Sequence, residues 1–315
     1  MASDPTTKVD PDLILGSQVA QGLAVIGDRC AFLIIRDVYL GVRRFEDLRK
    51  RTEAARGTLA SRLKSLVERG ILYKDPYQSS PVRYEYRLTE KGLDLYPMVL
   101  LMWNWEHKWG QNQYLPAALE HRSCGREMTP VYRCTACKKE VLPQDFSFSP
   151  GKSFEAVKKV PPRFQRRSKS KQEKNGYVGP QDVSVLDCVG DRWTSLVLAA
   201  GFFGLQRFDD IAESIGIATN ILSDRLKALV NMGVFDRVPY RDRPVRYEYH
   251  LSDKGRDLYQ HTIAIHEWAS RWLIKPGKEP LLLRHGPCDT LFNGEVVCSE
   301  CDEVLDPHDV TYNHH

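Results

Sequence analysis

One segment of the sequence occurs twice, and this duplication constrains the fold more than any other feature. PVRYEYRLTEKGLDLY, which begins at Pro81, recurs as PVRYEYHLSDKGRDLY from Pro244, with 12 of 16 positions identical. The same offset of 163 residues aligns Arg62-Leu63-Lys64 with Arg225-Leu226-Lys227 without a gap. Because a chain of 315 residues is long enough for two hydrophobic cores, the duplication predicts two copies of one folding unit.

The hydrophobic pattern of each copy predicts three helices. In the first copy they are expected over 28–40, 45–51 and 58–68, where apolar residues recur at helical spacing. Gly70 follows the third helix, as a C-terminal cap would.

A hairpin and a last helix are predicted to complete the unit. Ile71–Lys74 and Arg83–Leu88 alternate polar and apolar residues, which predicts two strands joined by a long loop. The last helix begins near Glu90 and carries a tryptophan cluster. Three helices and a hairpin form a winged helix-turn-helix, in which the third, or recognition, helix enters the major groove. The expected fold class is therefore α+β, mainly α, with two winged helix-turn-helix domains, each followed by a small Cys-rich module.

The ordered motifs of both copies resemble the HxlR-type branch of the MarR-like bacterial regulators. The family's motifs are G-D-R-W, G-x-x-R-F, L-x-x-R-L-K-x-L-x-x-x-G and P-x-R-Y-E-Y-x-L-T-x-x-G, and the resemblance covers nearly all of residues 20–110 and 183–273. The resemblance implies a sequence-specific transcriptional regulator, expected to be a repressor, that binds double-stranded DNA. Family members usually act as symmetric dimers on palindromic sites, so two fused copies can serve as a pseudo-dimer. A homodimer of whole chains, and a protein-interaction module of a larger transcription complex, remain open alternatives.

Candidate DNA-contacting residues lie at the starts of the second and third helices and at the second hairpin tip. Arg56 and Asn220 differ between the copies, which favours base readout, whereas the retained Arg62 and Arg225 suit either a structural or a phosphate-binding role. For each residue the alternative is a solvated surface group. The full set is Arg43, Arg44, Arg56, Thr58, Ser61, Arg62, Arg207, Thr219, Asn220, Ser223, Arg225, Arg241 and Arg243.

Basic residues are unevenly distributed. Between Lys152 and Lys174, nine Lys or Arg face two Glu, a net charge of +7 in a chain of net +4, so this connector either touches phosphates or is a solvated linker. The first copy also carries more positive charge around its second helix. Arg49, Lys50, Arg51 and Arg56 align with Ala212, Glu213, Ser214 and Thr219. We therefore expect the first copy to bind DNA more strongly.

A His-x2-Cys-x9-Cys-x2-Cys pattern follows each winged domain, at His121, Cys124, Cys134, Cys137 and at His285, Cys288, Cys298, Cys301. Three Cys and one His form a known structural zinc set, so each module is expected to bind its own ion. Free thiols and a disulfide switch are the alternatives. The predicted segments are 1–115 and 179–278 for the winged domains, 116–150 and 279–315 for the modules, and 151–178 for the linker.

Cys30 stands where the second copy keeps the family's Trp193. Because some relatives sense oxidants or electrophiles through a cysteine near the first helix, the resemblance makes Cys30 a candidate redox sensor, as is Cys188. The alternative is burial as a small apolar residue.

Other functional classes lack a signal. No stretch approaches the roughly 18 apolar residues of a membrane span, and the N-terminus does not resemble a secretory leader, so a cytoplasmic protein without a membrane partner is expected. No phosphate-cradling glycine loop or nucleophile elbow is present in the sequence, which argues against an enzyme. The sequence indicates no particular effector.

Overall fold

The computed structural model describes residues 11–110, 115–152 and 184–313. The first copy contains helices and one hairpin: α1 (Pro11–Gly16), α2 (Gln18–Ile26), α3 (Arg29–Tyr39), α4 (Phe45–Thr52), α5 (Arg56–Glu68), β1 (Leu72–Ser79), β2 (Val82–Leu88), α6 (Glu90–Leu93) and α7 (Tyr96–Trp109). The first Cys-rich module follows with β3 (Ala118–His121), β4 (Arg126–Met128), β5 (Pro130–Cys134) and β6 (Phe146–Pro150).

The second half has the same order. Its winged domain comprises α8 (Val185–Val189), α9 (Arg192–Phe202), α10 (Phe208–Ile215), α11 (Thr219–Asn231), β7 (Phe235–Asp242), β8 (Val245–Leu251), α12 (Asp253–Arg256) and α13 (Tyr259–Leu273). Its module comprises β9 (Leu281–His285), β10 (Thr290–Leu291), β11 (Gly294–Cys298) and β12 (Val310–Asn313). Among the described residues, no helix has both the length and the apolar character needed to cross a membrane.

The predicted unit of three helices and a hairpin is confirmed, and local chemistry explains its boundaries. The Asp28 side chain accepts a hydrogen bond from the backbone N–H of Ala31 and so caps α3. Gly70, at φ +70°, takes the left-handed conformation that ends α5. One face of α5 is fully buried, because Leu59 and Leu63 recur at helical spacing.

The hairpin is longer than predicted. Pro76 was expected to lie in a loop, yet it pairs with Tyr84 inside the hairpin, and the strands reach Ser79 and Val82. A proline donates no backbone hydrogen bond, and the register shifts between Pro76 and Gln78, so a local irregularity accommodates it in a two-stranded sheet. The prediction of a long loop is therefore wrong, and the wing is a two-stranded ribbon with a short turn.

Helices that the sequence analysis did not predict join the two copies. In the first copy, α2 packs against α13 of the second copy, and α1 packs against α10. In the second copy, α8 packs against α7 and α3 of the first. The contact between α2 and α13 is close, since a Cβ atom at Gly22 would lie 2.7 Å from Cγ2 of Ile265. Each copy thus completes its core with helices from the other.

The tryptophan-rich helices make equivalent contacts in both directions. The indole N–H of Trp105 donates to the backbone oxygen of Lys254, and that of Trp268 donates to the oxygen of Lys91, each at 2.9 Å. The offset of 163 residues relates both partners of one bond to those of the other. Trp109 bonds Asp257 and Trp272 bonds Asp94 in the same reciprocal way. The copies are therefore arranged about an approximate two-fold axis.

The Cys-rich modules share their strands. β5 of the first module pairs antiparallel with β11 of the second, with Tyr132 opposite Val296. The outer strands cross over as well, because β12 pairs with β3 and β6 pairs with β9. These pairings place the two modules side by side.

Candidate DNA interface and Cys/His clusters

The starts of both recognition helices face solvent. In α5 the side chains of Arg56, Thr58 and Ser61 are exposed, and in α11 those of Thr219, Asn220 and Ser223 are exposed. Six predicted positions are thus accessible to a ligand. Leu59 and Leu222, on the opposite faces, are fully buried and hold the helices in place.

Arg62 and Arg225 are different, because both are half-buried and paired with an acidic residue. Nε of Arg62 lies 3.2 Å from the Asp28 carboxylate, and the guanidinium of Arg225 lies 2.5 Å from the Asp191 carboxylate. Burial raises the pKa of Asp28, and the positive charge of Arg62 opposes that rise. Since Asp28 and Asp191 cap α3 and α9, these ion pairs join α5 to α3 and α11 to α9, and they favour a structural role.

Arg56 reaches back toward α4. Its guanidinium lies 2.8 Å from the Glu46 carboxylate and 5.2 Å from the ring centre of Phe45. Glu46 also pairs with Arg49 at 2.8 Å. Glu46 therefore neutralises part of the positive charge that distinguishes the first copy.

A second part of that charge surplus is internal. The carboxylate of Asp37 is fully buried and accepts ion pairs from Arg36 at 2.8 Å and Arg51 at 3.3 Å. In the second copy Ala200 and Ser214 replace Asp37 and Arg51. The acid and its basic partner are absent together, which is the pattern expected of a buried pair. Arg51 is thus committed to balancing Asp37.

Arg43, Arg44 and Arg207 are exposed beside the wings. The backbone oxygen of Arg43 accepts a hydrogen bond from the N–H of Tyr86, which fastens the wing to the start of α4. Arg44 lies over the ring of Tyr77 at 4.6 Å, and Arg207 lies over Tyr240 at 4.9 Å.

The wing tyrosines were missed by the sequence analysis. Tyr77 and Tyr240 are both about 40% exposed (40% and 41%), and they align at the offset of 163. Their retention directly after a proline in both copies, Pro76 and Pro239, was the signal available in the sequence. Arg241 and Arg243 are exposed at the second wing tip, where Arg241 of β7 lies opposite Arg246 of β8 in the strand register.

Cys30 lies in an environment that disfavours a thiolate. Burial raises its pKa to about 12, the negative charge of Asp28 adds to the rise, and Arg62 opposes it. Cys188 is fully buried, and burial raises its pKa as well. Because the thiolate is the reactive form, both environments favour burial as small apolar residues over sensing.

The eight predicted metal-ligating residues form two clusters, but not those expected. One cluster contains His121, Cys124, Cys298 and Cys301, and the other contains Cys134, Cys137, His285 and Cys288. The expectation that each module supplies all four ligands of its own site is therefore wrong. Each cluster takes its His-x2-Cys pair from one module and its Cys-x2-Cys pair from the other, because the modules pair through β5 and β11.

The spacing within each cluster suits a tetrahedral metal ion. Sγ of Cys124 lies 4.0 Å from Sγ of Cys298, and Sγ of Cys134 lies 3.9 Å from Sγ of Cys288. A zinc ion with Zn–S bonds of about 2.3 Å separates two sulfur ligands by about 3.8 Å. Nδ1 of His121 lies 3.2 Å from Sγ of Cys301, so the imidazole nitrogen faces the same centre. All four ligand atoms of each cluster lie within 4.8 Å of one another.

Comparison with known proteins agrees with this architecture. A family model described as HxlR-like helix-turn-helix matches residues 25–114 and 188–276. An uncharacterized HTH-type transcriptional regulator of Mycobacterium tuberculosis is 40% identical over 126 residues, which are 40% of this chain and 80% of that protein. From Bacillus subtilis, the uncharacterized regulator YvaP is 35% identical over 95 residues, 30% of this chain and 88% of its own length. The B. subtilis HTH-type transcriptional regulator YodB is 30% identical over 99 residues, 31% of this chain and 88% of YodB.

Proposed function

Because the chain belongs to the HxlR-like helix-turn-helix family, whose similar members are named as HTH-type transcriptional regulators, we propose that it represses transcription as a pseudo-dimer. It is a DNA-binding regulator and not an enzyme. In the proposed complex one chain binds both halves of a palindromic site in double-stranded DNA, with α5 in one major groove and α11 in the next.

The observation that carries the proposal is the reciprocal packing of the two copies. Trp105 and Trp268 make the same contact in opposite directions, so the recognition helices are related by the approximate two-fold axis that a palindrome also has. The relative from M. tuberculosis matches 126 residues with 80% of its length, so it is about half as long as this chain. Fusion of two such units in one polypeptide supplies both half-site readers.

Within each half-site, residues would divide between two roles. The exposed start of the recognition helix contacts base edges, and Arg43, Arg44 and Arg207 contact phosphates beside the wing. Arginine suits guanine and asparagine suits adenine, so Arg56 and Asn220 would make the two half-sites differ in sequence. Arg241 and Arg243 would follow the backbone or the minor groove at the second wing.

Selection of bound duplexes from a random pool tests the proposal. We expect an imperfect palindrome whose half-sites are centred about 10 base pairs or a multiple of that spacing apart. We also expect one chain per duplex, with an affinity that falls steeply as salt rises because counterions are displaced from phosphates. A single half-site occupied by each chain would favour a homodimer of chains. Salt-insensitive binding without sequence enrichment would favour a protein-interaction module.

We also propose that zinc occupies both Cys/His clusters. The support is the donor set, since three thiolates and one imidazole with tetrahedral spacing are typical of structural zinc and leave no open coordination position. Metal analysis of the purified protein should give two zinc ions per chain. Near-zero zinc with all eight cysteines titratable would contradict this.

A further inference from the structure

We propose that the two zinc ions join the N-terminal and C-terminal halves of the chain through exchanged ligands. Each ion would take two ligands from the first module and two from the second. The proposal rests on the zinc assignment above and is independent of DNA binding. It predicts that neither module can complete a metal site by itself.

Strand pairing makes the exchange a property of the backbone. In the antiparallel pair of β5 and β11, Cys134 lies opposite Gly294 and Cys298 lies opposite Pro130. The equivalent cysteines therefore stand at opposite ends of a five-residue ribbon, roughly 14 Å apart at about 3.4 Å per residue. Because Cys124 lies 4.0 Å from Cys298, it is far from Cys134 of its own module. One ion with bonds of about 2.3 Å cannot join Cys124 and Cys134.

The strands that flank the ligands are exchanged in the same way. After Cys301 the chain continues into β12, where Val310 pairs with His121 of the first module. After Cys137 it continues into β6, where Phe146 pairs with His285 of the second module. Each imidazole is thus presented by a strand that the other module holds in register. A different side-chain rotamer would not restore ligation within one module.

Ion pairs between the modules surround the same ribbon. Arg133 of β5 pairs with Glu295 of β11 at 2.7 Å and also with Asp302. Lys138 pairs with Glu295 at 2.8 Å. These side-chain ion pairs connect the first module with the second independently of any metal ion. The exchanged arrangement is therefore complementary in charge as well as in strand pairing.

The exchange gives the ions a defined mechanical role. Each would connect residues far apart in sequence, such as Cys124 and Cys298, and so hold the two halves at a fixed separation. An ion that binds the folded chain better than the unfolded chain stabilises the folded state. Here that stabilisation would act on the junction between the halves.

Zinc content in paired variants tests the exchange. The variant C124S/C301S alters two ligands of one proposed site and should retain one zinc ion per chain. The matched variant C124S/C134S alters one ligand of each proposed site and should lose both ions. Ligation within modules predicts the opposite result, one ion in C124S/C134S and none in C124S/C301S. That reversal would overturn the exchange while leaving the zinc assignment intact, and a wild-type chain without zinc would overturn both.

Disulfide trapping in the wild-type chain decides the matter if both variants lose all metal. The protein is stripped with a chelator under native conditions and oxidised briefly with diamide, which accepts the two electrons and two protons of each thiol pair. Peptide mass spectrometry should identify Cys124–Cys298 and Cys134–Cys288 crosslinks, whose sulfur atoms lie 4.0 and 3.9 Å apart. Crosslinks of Cys124 with Cys134 and of Cys288 with Cys298 would contradict the proposal.

Discussion

Asp28 and Asp191 hold equivalent positions in the two copies and form an antiparallel β-bridge with each other. Each also pairs with the arginine of its own recognition helix, Arg62 or Arg225. The two recognition helices are thereby connected through four charged residues that meet at the approximate two-fold axis. This connection accounts for the retention of both arginines without assigning them to DNA.

Replacement of Arg62 tests the structural role. We expect Arg62→Ala to lower the free energy of unfolding by about 1 kcal/mol, since a half-buried ion pair and its packing are lost. DNA affinity should fall while the slope of log affinity against log salt stays unchanged. The matched control is Lys64→Ala, an exposed charge on the same helix. A slope reduced by about 1 at unaltered stability would instead assign Arg62 to a phosphate.

Replacement of Arg56 or Asn220 tests base readout. Each alanine variant should lose about 1–3 kcal/mol of binding to the selected site and should relax specificity in one half-site only. Glu46→Gln is the control for the first copy, because it releases Arg56 from its ion pair and should not relax specificity. Binding measured against duplexes with single base changes gives the readout. A uniform loss on all sequences would show that the residue contacts only the backbone.

The relative strength of the two copies is tested in the full chain, because each copy uses helices from the other. Arg44→Ala in the first copy should weaken binding more than the aligned Arg207→Ala in the second, a comparison in which each variant loses one positive charge. The reason is the larger number of basic side chains around α4, although Arg51 is occupied by Asp37. Affinities at one salt concentration give the comparison. A larger loss from Arg207→Ala would contradict the expected order.

The close approach of α2 to α13 predicts a steric effect at Gly22. Gly22→Val should destabilise the protein by about 1–3 kcal/mol, because the new side chain overlaps Ile265 in a packed interface. Ile265→Ala removes the overlapping Cγ2 atom, so Gly22→Val should cost less in that background. Chemical denaturation of the four chains measures the coupling. If Gly22→Val lowers the free energy of unfolding equally in both backgrounds, the contact with Ile265 is not the source of the destabilisation.

Glu267 predicts a pH dependence of stability. It accepts hydrogen bonds from Tyr132 and from the N–H of Gly294, yet burial raises its pKa to about 7 from the ordinary 4.5. Between pH 4.5 and about pH 7, Glu267 therefore keeps a proton in the folded state that it releases in the unfolded state. Stability relative to Glu267→Gln should therefore be greatest below pH 4.5 and fall by about 1.4 kcal/mol per unit as pH rises toward 7. The free energy of unfolding of the wild-type protein and of Glu267→Gln, measured across pH 4–8, checks this prediction. A difference between the two proteins that does not change with pH would contradict it.

Cys30 should be unreactive in the folded protein. A pKa of about 12 against the ordinary 9.0 lowers the thiolate fraction near neutral pH by about a thousand-fold. Iodoacetamide labelling followed by peptide mass spectrometry should modify Cys30 slowly in the native chain and rapidly after unfolding. Rapid native labelling that releases bound DNA would restore the sensor hypothesis.

The sequence by itself determined the duplicated unit, its three helices, its wing and the identity of the eight candidate metal ligands. These features depend on local spacing, on caps such as Asp28 and on turns such as Gly70, which neighbouring residues specify. The basic connector lies, apart from Lys152, outside the described residues, and its role stays a prediction.

Only the tertiary structure decided which ligands share a site and which arginines are committed to internal partners. His121 and Cys301 are 180 residues apart, and the spacing within a module is the same whether its ligands stay together or are exchanged. The sequence likewise does not decide between a structural and a phosphate-binding role for Arg62, whereas the structure places its guanidinium beside the Asp28 carboxylate. Long-range strand pairing and helix packing bring such groups together, because burial of apolar surface between the copies, and not local spacing, sets their arrangement.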